Sequence, residues 1–182
     1  MPKWETISSK QIYANPWLRL REDQVVRPDG TLGIYSVVEM KGGIGVVAMT
    51  DTCEISIVGQ YRYAPAVYSW EIPKGAFDSF GQTEDLLETA KRELEEETGL
   101  IAKNWEHLAV VHTLMGSSDD RVHLFLATGL TECSPHLEGT EDIVTRTVTP
   151  QEFHHMVSAG EITDATSIAA VYLAMQKLSV SS

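Results

Sequence analysis

The residues with the clearest chemical potential lie in one short acidic segment, residues 91–100, whose sequence is KRELEEETGL. Four glutamates occupy five consecutive positions, and a glycine closes the stretch. Like charges three and four positions apart on a helix repel each other by roughly a few tenths of a kcal/mol per pair. The segment is therefore either a solvated acidic surface or a site that binds a cation.

A helical projection separates these glutamates from one another. Glu88 and Glu95 lie away from the apolar side, where solvation alone accounts for them. Glu97 falls inside the apolar stripe and Glu93 lies at its edge, and a carboxylate in apolar surroundings is costly unless something pairs with it. The stripe consists of Leu86, Leu87, Ala90 and Leu94.

A divalent cation would resolve both difficulties. Glu93 and Glu97 are four positions apart, so their side chains converge and their repulsion grows. Oxygen ligands on one helix, with room left for water and a phosphate, suit Mg²⁺ or Mn²⁺. Arg92 can reach Glu88 and Glu96 at helical spacing and could orient them. The alternative is a structural cluster that is protonated or paired with arginine.

The glutamates need a helix to present them, and the sequence predicts one over about residues 83–98. Thr83 is the expected cap, and acidic residues suit the positive end of the helix dipole in the first turn. Gly99 supplies the left-handed residue that ends a helix. Later helices are predicted to begin at Thr149-Pro150 and to be capped by Asp164.

The other elements are predicted strands. The first sixty residues alternate β-branched and aromatic residues with polar ones, and Asp29-Gly30 indicates a tight hairpin. Two further strands flank the sequence MGSSDD, and DIVTRTVTP is another. Strands, one early helix, more strands and terminal helices together predict an α/β protein with a mixed sheet between helices. The glycine cluster at 41–45 suggests a boundary after residue 42.

Composition narrows the class of partner. The chain has 182 residues, and its formal charge of −12 disfavours nucleic acid and anionic membranes. A phosphorylated small molecule would also be disfavoured, unless bound cations reverse the sign locally. No stretch has the roughly 18 apolar residues of a membrane helix, and no export signal is visible. We therefore expect a cytoplasmic protein in which Cys53 and Cys133 are unpaired thiols.

The sequence GAFDSFGQTEDLLETAKRELEEETGL resembles the Nudix box: glycine, five residues, Glu, seven residues, then R-E-U-x-E-E-x-G-U with U aliphatic. From Glu84 onward every fixed position matches. The segments GQYRYAPAVYSWEIPKG, MGSSDDRVHLFLA, EGTEDI and GEITDATSIAA resemble parts of the ADP-ribose and ADP-sugar pyrophosphatases. The chain is thus similar to the Nudix hydrolase superfamily from about residue 45 to 170.

The resemblance implies a Nudix fold, a mixed β-sheet in an α/β/α sandwich. A small N-terminal antiparallel β unit, residues 1–42, would be the dimerisation element, and residues 43–182 would form the hydrolase domain of a homodimer. The implied reaction is Mg²⁺-dependent hydrolysis of a nucleoside diphosphate linked to another group X, with Mn²⁺ as a substitute. A nucleotide sugar such as ADP-ribose would give a nucleoside monophosphate and a sugar phosphate.

The resemblance also implies roles for individual residues of the box. Glu93 and Glu97 would be metal ligands, and Glu96 a further ligand or a base. The backbone carbonyl of Lys74 would complete the metal site. Arg92 would orient the glutamates during catalysis.

Residues outside the helix are implicated in the same way. Arg62 would contact the substrate phosphate, and Glu71 would shape the site together with its neighbour Trp70. Glu141 would align with the candidate general base of the family, and Glu96 is the rival for that role.

Two departures from the family pattern bear on the substrate. The box glycine would fall at Asp78, and the nearest glycine is Gly75, which implies a three-residue insertion in the loop before the helix. Met115, a candidate substrate contact, stands where the ADP-ribose group has a proline, and Asp120 replaces a glutamate. Other Nudix substrates therefore stay open, such as a dinucleoside polyphosphate or a damaged nucleotide, as does a non-catalytic nucleotide-sugar-binding regulator.

For the aromatic and histidine residues, the sequence predicts less specific roles. Trp4 and Trp17 are expected to pack within the N-terminal unit, and His112 and His123 to be ordinary strand residues. Four aromatic residues could either stack a base or pack in the core or a dimer interface. These are Tyr61, Tyr63, Tyr68 and Trp70.

Overall fold

The structure, a computed structural model, describes residues 3–81, 84–133 and 143–180. The strands are β1 Glu5–Ala14, β2 Leu18–Val26, β3 Leu32–Met40, β4 Gly43–Met49, β5 Ile55–Arg62, β6 Val67–Glu71, β7 Lys74–Ala76, β8 Leu100–His112, β9 Arg121–Glu132 and β10 Val144–Val148. The helices are α1 Leu86–Thr98, α2 Pro150–Ala159 and α3 Ala165–Val180.

The first three strands form a separate antiparallel sheet in the order β1-β2-β3. The β2–β3 turn has Gly30 at φ 84°, a conformation that glycine adopts without strain. The Asp29 carboxylate accepts a hydrogen bond from the backbone N–H of Thr31 at 2.9 Å, which closes the turn. The hairpin predicted at Asp29-Gly30 is therefore confirmed.

The second sheet has the order β10-β5-β4-β9-β8, with β6 paired to β5 and β7 paired to β4. Strands β4 and β9 are parallel and the other pairs are antiparallel, so the sheet is mixed, as predicted.

Strand β4 is buried on both faces because helices cover both sides of the sheet. Val46 and Ala48 pack toward Leu94 of α1. Val47 and Met49 point the other way, into a core that α2 and α3 complete. The result is three layers, helix on sheet on helix, which is the predicted α/β/α sandwich.

Helix α1 begins later than predicted. Its N-cap is Asp85, whose carboxylate accepts from the backbone N–H groups of Leu87 and Glu88. The predicted cap, Thr83, lies outside the described residues. Glu84 instead accepts from the backbone N–H of Asp78 at 2.6 Å, a contact between the segment after β7 and the start of the helix. The predicted end is confirmed, since Gly99 has φ 66°.

The two later helices begin as predicted. Thr149 caps α2 by accepting from the backbone N–H of Glu152 at 3.1 Å, and Pro150 occupies the first turn. Asp164 accepts from the backbone N–H of Ser167 at 2.8 Å at the start of α3. None of the helices in the described part of the chain is long and apolar enough to cross a membrane. Both cysteines are free thiols, as expected.

Candidate active site

The backbone of Lys74 and Gly75 in β7 is where two box glutamates meet. The Lys74 N–H donates to Oε2 of Glu97 at 3.0 Å. A Cβ built on Gly75 would lie 2.0–2.4 Å from the carboxylate atoms of Glu93, so only glycine leaves room for that side chain. Glu93 and Glu97 therefore converge on one short stretch of backbone, as their four-residue spacing predicts.

Helix α1 turns Glu97 into the protein rather than toward solvent. Its side chain is on the same face as Ala90 and Leu94, both fully buried against the sheet, and the residue is 7% exposed. The helical projection placed Glu97 inside the apolar stripe, and the structure confirms that position. Burial makes this carboxylate dependent on the partners around it.

Arg92 draws two of the box glutamates together. Its guanidinium contacts Glu93 and Glu96, each at 2.7 Å. Burial lowers the pKa of Arg92, but the negative charges of Glu93 and Glu96 outweigh it, so the pKa is raised overall. The sequence also predicted a contact from Arg92 to Glu88, and this is wrong: Glu88 pairs with Lys91 instead, at 2.7 Å.

Outside helix α1, the carboxylate of Glu71 on β6 is held by two cationic side chains. Arg62 donates to it from two nitrogens, at 3.0 and 2.6 Å, and Lys74 Nζ lies 2.8 Å from Oε2. Glu71 is only 3% exposed. Burial raises its pKa, but the hydrogen bonds and charges of Arg62 and Lys74 outweigh burial and lower the pKa to about 2.

Helix α3 is tied to the same backbone by residues that the sequence did not assign to the site. Asp164 contacts Lys74 Nζ at 2.8 Å and accepts the Ser167 hydroxyl at 2.6 Å. The Ser167 oxygen in turn accepts the backbone N–H of Ile72 at 3.0 Å, and Ser167 is fully buried. Asp164 was predicted as a helix cap, but no local pattern connects it to Lys74, ninety residues earlier.

One cavity opens beside Gly75, and a second one adjoins it. The first, of about 360 Å³, is bordered by Lys74, Asp164 and Asp120 and also by Trp17. Trp17 is 71% exposed, so the expectation that it packs within the N-terminal unit is wrong. Trp4 is half exposed and stacks edge-on against Tyr35.

The second cavity, of about 460 Å³, lies between β3 and the loop that joins β8 to β9. Met115 borders it and is 80% exposed. The cavity is therefore adjacent to the first one, with which it shares Met40, Lys41 and Gly42.

One of the predicted site residues, Trp70, does not face this site. Trp70 alternates with Glu71 along β6, so its side chain lies on the opposite face, where it contacts Tyr68 edge-on and packs against the core. Three exposed tyrosines, Tyr61, Tyr63 and Tyr68, are not core residues. Glu141 lies outside the described residues, so its role stays a prediction.

Comparison with known proteins identifies the family. The family model for the NUDIX domain matches residues 40–170. The chain belongs to the Nudix family. A second model, for the nucleoside diphosphate sugar hydrolase N-terminal domain, matches residues 4–38.

Relatives of this Nudix protein match over nearly its whole length. An ADP-ribose pyrophosphatase of Mycobacterium tuberculosis is 39% identical over 170 residues, covering 92% of this chain and 81% of that protein. An ADP-ribose pyrophosphatase of Bacillus subtilis is 32% identical and covers 95% and 94%. A crystal structure of an ADP compounds hydrolase superposes with a TM-score of 0.84, covering 98% and 96%. At 16% identity it supports the fold alone. The predicted family, fold and enzyme class are confirmed.

Nudix hydrolases generally need a divalent metal ion, and the donor atoms near Gly75 fit one. The carboxylates of Glu93, Glu96 and Glu97 and the nearby backbone carbonyl of Lys74 offer hard oxygens. No group of three His, Cys, Asp or Glu side chains is ready to hold an ion in the described ranges. Arg92 instead pairs with two of the carboxylates, so an ion would exchange with its guanidinium.

Proposed function

We propose that this Nudix protein hydrolyses the pyrophosphate bond of a nucleoside diphosphate sugar, with ADP-ribose as the leading substrate. The products would be a nucleoside monophosphate and a sugar phosphate. The observation that carries the proposal is the convergence of Glu93 and Glu97 on the backbone of Lys74 and Gly75. The relatives named as ADP-ribose pyrophosphatases support the choice of substrate.

The glutamates of α1 would hold the metal. Glu93, Glu97 and the Lys74 carbonyl would be ligands, with Glu96 beside them, and Mg²⁺ suits such an oxygen-only set, with Mn²⁺ as a substitute. The chemistry such an ion supplies when bound is neutralisation of the pyrophosphate and activation of water. Arg92 would keep Glu93 and Glu96 close together, because its guanidinium contacts both.

Arg62 would bind a substrate phosphate, and Glu71 would fix its orientation. Two nitrogens of Arg62 already donate to Glu71, so the guanidinium is held in one plane before substrate arrives. The hydrogen bonds and charges of Arg62 and Lys74 keep Glu71 ionised despite its burial, and its low exposure shields the ion pair from solvent. A preoriented cation reduces the entropy lost on binding an anion.

The proton of the attacking water needs an acceptor, and we assign it to Glu141, with Glu96 as the rival. A general base contributes about a hundredfold to ten-thousandfold to a rate. Replacement of Glu141 by glutamine should therefore lower kcat by at least about tenfold. A smaller loss would place the base elsewhere, and the same replacement of Glu96 would then be the next measurement.

The N-terminal sheet would join two copies of the chain, and residues 1–42 and 43–182 would be separate domains of a cytoplasmic homodimer. Large apolar side chains exposed on this sheet support a dimer. Sedimentation of the wild type and of Ile34→Lys would test it, since a charge in the interface should yield monomers. The exposed residues are Trp4, Ile7, Ile12, Tyr13, Trp17, Leu32 and Ile34.

The reaction is tested by a panel of nucleoside diphosphate sugars and dinucleotides with Mg²⁺ or Mn²⁺, in which the products are identified. We expect the largest kcat/KM with ADP-ribose or a related nucleotide sugar. Faster turnover of a dinucleoside polyphosphate would overturn the substrate class. Absence of turnover with metal bound would instead indicate a binding protein.

A further inference from the structure

The loop between β8 and β9, residues 113–120, borders both cavities and is attached to the edge of the N-terminal sheet. Strand β3 is the last strand of that sheet, so its outer edge has backbone groups available for pairing. Val38 of β3 forms a parallel bridge with Ser118 of the loop. The loop therefore adds a short extension to the sheet.

The backbone contacts of this attachment involve both polar groups of Val38. Its N–H donates to the carbonyl of Ser117 at 2.8 Å, and its carbonyl accepts the N–H of Asp119 at 3.4 Å. Side chains add to these contacts on each side. The Tyr35 hydroxyl donates to the carbonyl of Gly116 at 2.6 Å, and the Asp119 carboxylate accepts the Met40 N–H at 3.0 Å.

Ser118 connects this attachment to the cavity beside Gly75. Its hydroxyl donates to the Val38 carbonyl at 2.8 Å and accepts the N–H of Asp120 at 3.1 Å. The Asp120 carboxylate accepts the Thr113 hydroxyl at 2.5 Å, which closes the base of the loop. Asp120 and Thr113 both border the cavity that contains Lys74.

We propose that Ser118, assisted by Tyr35, is a positioning residue that fixes the 113–120 loop on β3 and thereby sets the affinity and selectivity for the group X. The proposal rests on the hydrolase function proposed above. A loop anchored on a sheet edge presents Asp120 and Met115 in one arrangement, whereas a released loop would present many. The metal ligands of α1 lie on other elements, so the chemical step should be affected little.

The proposed role of Ser118 is tested by steady-state kinetics of Ser118→Ala. The substrates are ADP-ribose and nucleotide sugars with other X groups. We expect KM for the preferred substrate to rise by roughly five- to tenfold, the typical effect of one lost hydrogen bond, while kcat changes by less than about twofold. The ratio of kcat/KM between substrates should shift. Ser118→Thr keeps the hydroxyl and should restore the wild-type values, and Tyr35→Phe should act in the same direction as Ser118→Ala.

Matched controls remove hydroxyls elsewhere. Ser158→Ala on α2 and Tyr172→Phe on α3 change exposed residues and should leave KM unchanged. Amide hydrogen exchange gives a readout without substrate: the Val38 and Asp120 amides should exchange about tenfold faster in Ser118→Ala, and the Val46 amide should not.

Three outcomes would overturn the proposal. One is unchanged exchange at Val38 and Asp120 in Ser118→Ala. Another is faster exchange with unchanged KM and selectivity, since the loop would then not position substrate. The third is a fall in kcat and thermal stability that Ser118→Thr fails to restore. Inactivity of the wild type on every nucleotide sugar would instead contradict the proposed function, and the exchange data would still decide whether Ser118 holds the loop.

Discussion

Two groups of carboxylates flank the same stretch of backbone, and their charges are compensated in different ways. Glu71 is almost fully buried between Arg62 and Lys74, in contacts of 2.6–3.0 Å. On the other side, Glu93 and Glu96 share the single guanidinium of Arg92. In the first arrangement Asp164 also contacts Lys74, so two cations balance two carboxylates, and the ion pairs are a fixed structural feature. The second has a carboxylate surplus and is suited to exchange its partner for a metal ion.

Replacement of Glu97 by glutamine is the strongest test of this difference. The side chain keeps its shape and an oxygen that can accept the Lys74 N–H, but it loses the charge that a metal ligand needs. We expect kcat with saturating Mg²⁺ to fall by about a hundredfold to a thousandfold, as for loss of a principal electrostatic group. Steady-state turnover and the metal dependence of the rate measure the effect.

Glu88→Gln is the matched control, because Glu88 is an exposed residue of the same helix that pairs with Lys91. It should retain the wild-type rate. Near-wild-type turnover of Glu97→Gln with Mg²⁺ present would contradict the metal assignment and would make the two groups of carboxylates equivalent structural clusters.

The ion pairs of Glu71 should affect how the stability of the protein changes at acid pH. The folded pKa of Glu71, about 2, is below its ordinary 4.5, so folding favours the ionised form. The sign follows from linkage: this stabilisation is fully present above about pH 4.5 and is lost as the pH falls toward 2. The shift corresponds to about 3 kcal/mol of unfolding free energy. Denaturant unfolding between pH 6 and pH 3 measures it.

Glu71→Gln removes the titrating group and serves as the comparison. We expect this variant to be less stable at pH 7, because Arg62 and Lys74 lose the charged partner that the buried Glu71 side chain supplies. Its stability should also decline less than that of the wild type between pH 5 and pH 3. Parallel pH profiles for the two proteins would show that Glu71 is not the group that titrates.

Gly75→Ala tests whether the position of the Glu93 carboxylate depends on the backbone of β7. The added Cβ would lie within 2.4 Å of the Glu93 carboxylate, so Glu93 must move. We expect kcat/KM to fall by roughly tenfold, because small displacements of catalytic groups cost rate. At Gly33 a Cβ would meet only the flexible end of Arg27, so Gly33→Ala is the control and should be unaffected. Equal activity of the two variants would show that Glu93 need not approach Gly75.

These contrasts also show which parts of the molecule could be predicted from sequence. The position of Glu97 in the core follows from helical periodicity alone, and Gly99 marks the end of the helix because a left-handed residue is needed there. The start of α1 was misassigned because Thr83 and Asp85 are both good caps, and only the packed structure distinguishes them. A helix boundary can thus be predicted where only one nearby residue suits the position. It is ambiguous where several residues suit it.

Contacts between distant segments were not predictable. The sequence predicts Asp164 as a helix cap, but no neighbouring residue indicates that it also forms an ion pair with Lys74. Ser118 similarly contacts Val38 across eighty residues. Such pairs depend on how the sheets and helices are placed in space, which a single sequence does not specify. The opposite faces of Glu71 and Trp70 could have been predicted, since neighbouring residues of a strand alternate.

The smallest expected effect concerns two neighbouring histidines, His123 and His107. If both rings were protonated, two positive charges would face each other. Nδ1 of His123 lies 3.4 Å from Nε2 of His107 on the α1 side of the sheet. Burial, His107 and Arg121 all lower the pKa of His123 below its ordinary 6.5, so folding favours the neutral ring. The unfolded chain takes up the proton first as the pH falls. The stabilisation is therefore present above about pH 6.5 and is lost as the pH falls through the folded pKa.

As the pH falls from 7.5 to 5, we expect the protonation of His123 to lower the midpoint of thermal unfolding. His123→Gln should remove that part of the pH dependence, and His112→Gln, at an exposed position, should not. Identical profiles for wild type and His123→Gln would mean that the ring accepts a proton without cost. A difference confined to His123→Gln would show that burial of His123 beside His107 and Arg121 makes its protonation costly to the fold.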